Sequence, residues 1–361
     1  MKNNFPYLRC FLLFSILVPG VAHAQSWTLS WNDEFNGTAN SAIDATKWQY
    51  DTGILNVNDE VEYYCAPGSS TSPCSATTPN AYIDGNGHLV IQAIEISSSI
   101  APYSASWTSA RLTSANNLAS FKYGRIESSM QLPVGPGIWP AFWALGTDIT
   151  TVGWPTSGET DFMENVPASA GLGPATIRST LHGPGYSGGN GLGQNYNFPN
   201  GGQVNTAFHT YGAIWSPNMI QFYVDDPSKV FFVRTASDIP EGTAWPFNAN
   251  SFLLLNLAVG GTGSWPGPPD STTPNPAVML VDYVRAYTPS PVAGPTMNGP
   301  SINVTAGQVG TSVVSLNSTA GTGRVYLSCT TTAPKATCSI ASTDSLNSHT
   351  VDFSNSATGT A

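Results

Sequence analysis

Gly158-Glu159-Thr160-Asp161-Phe162-Met163-Glu164-Asn165-Val166 sets three carboxylates within six residues. Elsewhere charge is scarce, since Asp, Glu, Lys and Arg together make up only 9% of the chain. Thr160, Phe162 and Val166 favour extended backbone, so the segment reads as a β-strand. Side chains of a regular strand alternate between faces. Glu159 and Asp161 therefore share one face, and Glu164 falls on the other. One extra residue bulging out near Met163 restores the parity and brings all three acids together. Like charges gathered on one face repel, and a sheet tolerates that mainly where the charge is used.

Working outward, short apolar runs recur at close spacing. Candidate strands lie at 89–96, 121–132, 139–145, 176–182, 210–216, 219–224, 252–259 and 278–287. Helical periodicity is absent over any useful length. The 35 Gly and 28 Pro supply turns without reaching a disordered composition, and 41% hydrophobic residues are enough for a sizeable core. The fold class expected is all-β, a sandwich or barrel. Gly/Asn/Pro-rich stretches at 183–205 and 260–276 read as long loops of the kind that cap a cleft.

The net charge of −10 excludes nucleic acid as a partner and disfavours polyanionic ligands, so a neutral ligand fits best. Residues 1–24 read as a signal peptide: Lys2 and Arg9 precede an apolar run at 11–18, too short to span a bilayer, and Ala22-His23-Ala24 is a cleavage site. A secreted protein with no membrane anchor, starting at Gln25, follows. Cys65 and Cys74 are nine apart, as are Cys329 and Cys338, which suits two local disulfides in an oxidising compartment; buried free thiols are the alternative. Composition shifts at the end of the chain. Residues 25–288 read as one large domain, 289–300 as a Pro/Gly-rich linker, and 301–361 as a small immunoglobulin-like β-sandwich, short for that fold.

Glycoside cleavage needs one carboxyl to protonate the leaving oxygen and a second to act at the anomeric carbon. With a bulge, Glu159 and Glu164 stand four strand steps apart, about 13 Å at ~3.3 Å per residue. Two side chains leaning together narrow that toward the roughly 5–5.5 Å of a retaining pair. Asp161 between them is positioned to hold Glu159 and to separate the acidities of the set. Other chemistries lack their motifs. There is no Gly-x-Ser-x-Gly, no phosphate-cradling loop followed by Lys, and neither HExxH nor CxxC.

The run Trp154-Pro155-Thr156-Ser157-Gly158-Glu159-Thr160-Asp161-Phe162-Met163-Glu164 resembles the signature of glycoside hydrolase family 16. So do Trp31-Asn32-Asp33-Glu34-Phe35, Tyr123-Gly124-Arg125-Ile126-Glu127, Gly137-Ile138-Trp139-Pro140-Ala141-Phe142-Trp143 and Asp282-Tyr283-Val284-Arg285, in the family's order across residues 26–288. The resemblance implies a β-jelly roll of two curved antiparallel sheets with an open cleft. It implies Glu159 as nucleophile, Glu164 as general acid/base and Asp161 as their assistant, with no cofactor in catalysis. The extra residue at Met163 resembles laminarinases, which cleave β-1,3-glucan, rather than lichenases with the shorter motif; agarases and carrageenases share the bulge. Thr180-Leu181-His182-Gly183-Pro184-Gly185-Tyr186 and Asn256-Leu257-Ala258-Val259-Gly260-Gly261 look most like bacterial laminarinases.

By the same resemblance, Trp139 and Trp143 are expected to stack on sugar rings, with core packing the alternative for Trp143. On a strand they share a face with Ala141, and Phe142 opposes them. His182 is expected beside the cleavage point, Asn58, Glu62 and Arg111 on the glycone side, and Trp265 at one end of the cleft. A structural Ca²⁺ is implied at Glu34, Gly87 and Asp282. The expected activity is that of a secreted, monomeric, retaining endo-β-1,3-glucanase acting on β-glucan. Alternatives are mixed-linkage glucan or agar-type galactan as substrate, transglycosylation, and a jelly roll that binds carbohydrate without catalysis.

Overall fold

A computed structural model of the chain describes residues 26–100 and 105–290, together with four short strands beyond them. Residues 27–289 form one compact unit of two antiparallel sheets packed face to face. The seven-stranded sheet runs in the order Leu192–Asn197, Thr176–His182, Glu159–Glu164, Ile138–Gly146, Ser251–Val259, Arg111–Thr113 and Gln49–Asp51. The ten-stranded sheet is built around Val230–Thr235, Met219–Val224, His209–Ser216, Gly124–Gln131, Ala277–Pro289 and Leu89–Ile100. Its Glu62–Tyr64 and Ala105–Ser109 strands pair in parallel. Among the described residues the helix content is one four-residue turn, Ile149–Val152, and three 3₁₀ turns.

The core lies between the sheets, and the period-two pattern of the central strands puts it there. In Ile138–Gly146, Ile138, Phe142 and Ala144 are buried in the core while Trp139 and Trp143 are half-buried on the other face. In Ser251–Val259, Leu253, Leu255, Leu257 and Val259 face inward. Phe142 stacks on Phe162 at 4.7 Å, Phe162 meets Phe222 of the other sheet at 6.5 Å, and Phe222 stacks on Phe232 at 5.2 Å. Each such side chain taken from water contributes about 1.5–3 kcal/mol. The eight expected strands are all present, most a residue or two longer or shorter at an end.

One expectation needs correction. The stretch 183–205 is not one long loop, because Leu192–Asn197 pairs along Thr176–His182 as an edge strand. Its polar and glycine residues hide the pattern, although Leu192 and Tyr196 on one face are half-buried against the core. Within 289–300, read as a linker, Thr296–Asn298 is a strand paired with Ser315–Asn317. A second short pair joins Arg324–Tyr326 to Thr350–Asp352. The signal peptide at 1–24, the Cys329 and Cys338 pair and the rest of the immunoglobulin-like reading of 301–361 lie outside the described residues. Cys65 and Cys74 are joined as a disulfide. No helix among the described residues is long and apolar enough to cross a membrane.

Candidate active site

The bulge sits in the strand Glu159–Glu164. Against Ile138–Gly146, Asp161 pairs with Trp143 and Met163 with Phe142, so one residue on this strand is extra. Against Thr176–His182, Asp161 pairs with Thr180 and Glu164 with Arg178, which leaves Phe162 and Met163 facing the single Ser179. Both bulged side chains go into the core, where Phe162 is 4% exposed and Met163 is fully buried. Two consecutive apolar residues pointing inward are what return Glu164 to the face of Glu159 and Asp161. The carbonyl of Phe162 accepts a hydrogen bond from Ser179 Oγ at 2.7 Å, replacing the ladder bond lost at the bulge.

Each outer acid is held by an indole. Trp139 Nε1 donates to Glu164 Oε1 at 3.1 Å, and Trp154 Nε1 donates to Glu159 Oε2 at 2.9 Å. His182, opposite Glu159 in register, places Nε2 3.1 Å from Asp161 Oδ2 and 3.7 Å from Glu159 Oε1. The first contact is close enough for charge attraction but is not aligned as a hydrogen bond. One ligand-capable atom from each of Glu159, Asp161 and His182 lies within 4.8 Å of the others.

Burial dominates the electrostatics. It pushes Glu159 up to about 8, reinforced by the charge of Asp161 and, less, of Glu164; His182 and the Trp154 hydrogen bond pull the other way. Glu164 is likewise pushed up to about 8 by burial and then by Asp161, against His182, Trp139 and Arg178. Burial holds Asp161 well above the usual carboxylate range, opposed by Arg178. The set therefore keeps protons that isolated acids lose. Glu159 has an indole donor on one oxygen and the imidazole beside the other.

The expected cleft residues divide. Trp139, Trp143 and His182 all stand on the acid-bearing face of the sheet. Trp143 Nε1 donates to Asn256 Oδ1 at 2.7 Å, and the Arg111 guanidinium lies 4.7 Å from its ring centroid, itself held by Asp51 at 2.9 Å. Trp143 is thus an outer-face side chain locked from two directions, not part of the inter-sheet core. Trp265, 39% exposed, meets the edge of Trp139 at 5.6 Å. Asn58 sits on an exposed turn and donates to Glu60. Glu62 is 2% exposed, its Oε2 accepts from the Val259 backbone N–H at 2.8 Å, and burial raises it well above the usual range. Its Oε2 thereby ties strand ends together, while Oε1 has no hydrogen-bond partner.

Of the residues assigned to Ca²⁺, Glu34 has its side chain already taken by a cationic partner. Both oxygens of Glu34 accept from Arg285, at 2.8 and 2.6 Å, and Asn32 Nδ2 donates a further bond to Oε1 at 2.9 Å. The Arg285 guanidinium holds Glu34 below the usual carboxylate range and occupies the place a cation would take. Gly87 belongs to a turn with φ of +92°.

Trp154, Arg178 and Asn256 are the site residues that sequence reasoning passed over. Trp154 carried a signal, a tryptophan in a Pro/Gly turn five residues before the first acid. Arg178 and Asn256 carried none, because their partners come from other strands.

The family model for glycosyl hydrolases family 16 matches residues 69–284. The chain belongs to glycosyl hydrolase family 16. A β-glucanase of Rhodothermus marinus is 36% identical over 73% of this chain and 86% of its own length. Glucan endo-1,3-beta-glucosidase A1 of Niallia circulans is 34% identical over 76% of this chain, which spans 39% of that relative. Among solved structures, the laminarinase catalytic domain of Thermotoga maritima is 38% identical, with a TM-score of 0.63 over 73% of this chain and 98% of that one. The jelly roll of this family is the architecture of residues 27–289.

Proposed function

We propose that the chain is a secreted, retaining endo-β-1,3-glucanase of family 16. The observation that carries the reading is the bulge at Phe162 and Met163, which sets Glu159, Asp161 and Glu164 on one face between two indole donors. In the first step Glu159 attacks the anomeric carbon while Glu164 gives its proton to the departing glycosidic oxygen. Asp161, kept protonated by burial, stabilises the charge that Glu159 carries before attack and recovers on release. In the second step Glu164 takes a proton from water, which displaces the sugar from Glu159. Named relatives that are glucanases of β-1,3 linkage support the substrate class.

Reducing-sugar release from laminarin, curdlan, barley glucan and agarose in parallel tests it. Release from the β-1,3-glucans is expected, with the β-anomer formed first by proton NMR. Cleavage of agarose or barley glucan alone sinks the linkage; α-anomer first sinks retention. Glu159→Gln is expected to bind laminarin without turnover. A wild-type protein that binds but never cleaves it would be a carbohydrate-binding jelly roll instead.

A further inference from the structure

The seven-stranded sheet extends beyond the acids by two strands, Thr176–His182 and the edge strand Leu192–Asn197. Trp143, Asn256 and Arg111 lie on the opposite side of Glu159–Glu164, on the strands expected to hold the glycone half of a glucan. The departing half must then cross the two outer strands. Their acid-side residues include Arg178, opposite Glu164 in register, and Asn195, opposite Arg178.

Two glycines spaced by one residue shape this surface. A Cβ on Gly193 would come within 2.6 Å of Arg178 Nη2 and 2.8 Å of its Cζ and Nε, and a Cβ on Gly191 within 2.5 Å of His182 Cε1. Guanidinium and imidazole therefore lie down on the edge strand, which any side chain at 191 or 193 would prevent. Arg178 Nη1 donates to Asn195 Oδ1 at 3.0 Å. The arginine ion pairs among the described residues are Arg111 with Asp51, Arg125 with Glu127 and Arg285 with Glu34. Arg178 makes none, although it is near enough for its charge to act on two acids, Asp161 and Glu164. A guanidinium has five donors in one plane, and Asn195 takes one.

We propose that Arg178, laid over Gly193 and held by Asn195, is the leaving-side sugar contact, donating hydrogen bonds to hydroxyls of the glucosyl residue that departs first and of any sugar acceptor that enters second. This rests on the glycosidase reading of the same site. Charged donors suit neutral hydroxyls here because an ammonium-like point charge would be drawn onto Glu164, whereas the flat fork is pinned away from it.

The test uses an aryl β-laminaribioside, whose leaving group is not a sugar, with laminaribiose added as acceptor. Water and acceptor both depend on Glu164 as base, so the ratio of transfer to hydrolysis cancels any change in that residue's basicity. In Arg178→Met this ratio is expected to fall about tenfold, the scale of one charge-assisted hydrogen bond. Its kcat/KM on laminarin is expected to fall further than on the aryl substrate. Gly193→Ala, which keeps the charge but displaces it, is expected to move the ratio the same way, and Arg178→Lys to restore it only in part. An unchanged ratio in both Arg178→Met and Gly193→Ala, or equal losses on the two substrates, overturns the proposal. A wild-type protein that releases no aryl group overturns the glycosidase reading and this one with it.

Discussion

Two indole N–H groups each hold one outer carboxylate, and their removal is expected to move opposite limbs of the pH–rate profile. Trp154→Phe keeps an aromatic ring but deletes the donor on Glu159 Oε2, and Trp139→Phe does the same at Glu164 Oε1. Both bonds favour the ionised carboxylate, so each loss raises the pKa of its own acid still further above about 8. A hydrogen bond to a charged group is worth roughly 1.5–3 kcal/mol, of which entering water restores part. At 1.36 kcal/mol per pH unit, a displacement of about one unit is expected. Glu159 must be ionised to attack, so Trp154→Phe moves the acidic limb upward and narrows the active range. Glu164 must be protonated to act as acid, so Trp139→Phe moves the alkaline limb upward and widens it. The apparent values belong to the coupled set of Glu159, Asp161, Glu164 and His182, and the comparison of directions is what discriminates. The assay is kcat/KM for laminarin between about pH 4 and pH 10 for the three proteins, spanning the usual carboxylate range and the raised one. Both variants shifting the same limb, or neither shifting one, refutes the division of roles.

The raised pKa values also have a cost in stability. The folded state binds protons at Glu159 and Glu164 more tightly than an unfolded chain with values near 4.5. Stability is therefore expected to fall as pH rises from about 4.5 through about 8. Glu164→Gln is expected to melt above wild type at pH 9 and close to it at pH 4, as followed by circular dichroism. Phe162→Ala empties a bulge position packed on Phe142 and Phe222 and is expected to cost about 3–5 kcal/mol, read from urea midpoints. Replacing Cys65 and Cys74 by Ala opens a short closed loop. The expected loss is about 2–3 kcal/mol, with the melting point then insensitive to reductant. His182→Ala, which removes the imidazole beside Glu159 and Asp161, is expected to shift the acidic limb upward as Trp154→Phe does.

What could be read from the sequence were the features carried by neighbours along the chain. Alternation located the central strands, and broken alternation between Asp161 and Glu164 located the bulge and the shared face of the acids. The opposed faces of Trp139 and Trp143 against Phe142 followed from the same count of two. The tertiary structure decided everything that depends on partners far apart in sequence. Glu34 is occupied by Arg285, 251 positions away, so a residue that reads as a metal ligand is neutralised by a guanidinium. Glu62 Oε2 is held by the backbone N–H of Val259, 197 positions away. Leu192–Asn197 becomes a strand because Thr176–His182 offers it a free edge, not because its own residues prefer one. Local steric preference and side-chain parity are properties of a few consecutive residues. Which carboxylate is buried, paired or left to react is set by the sheet register, which no short stretch contains.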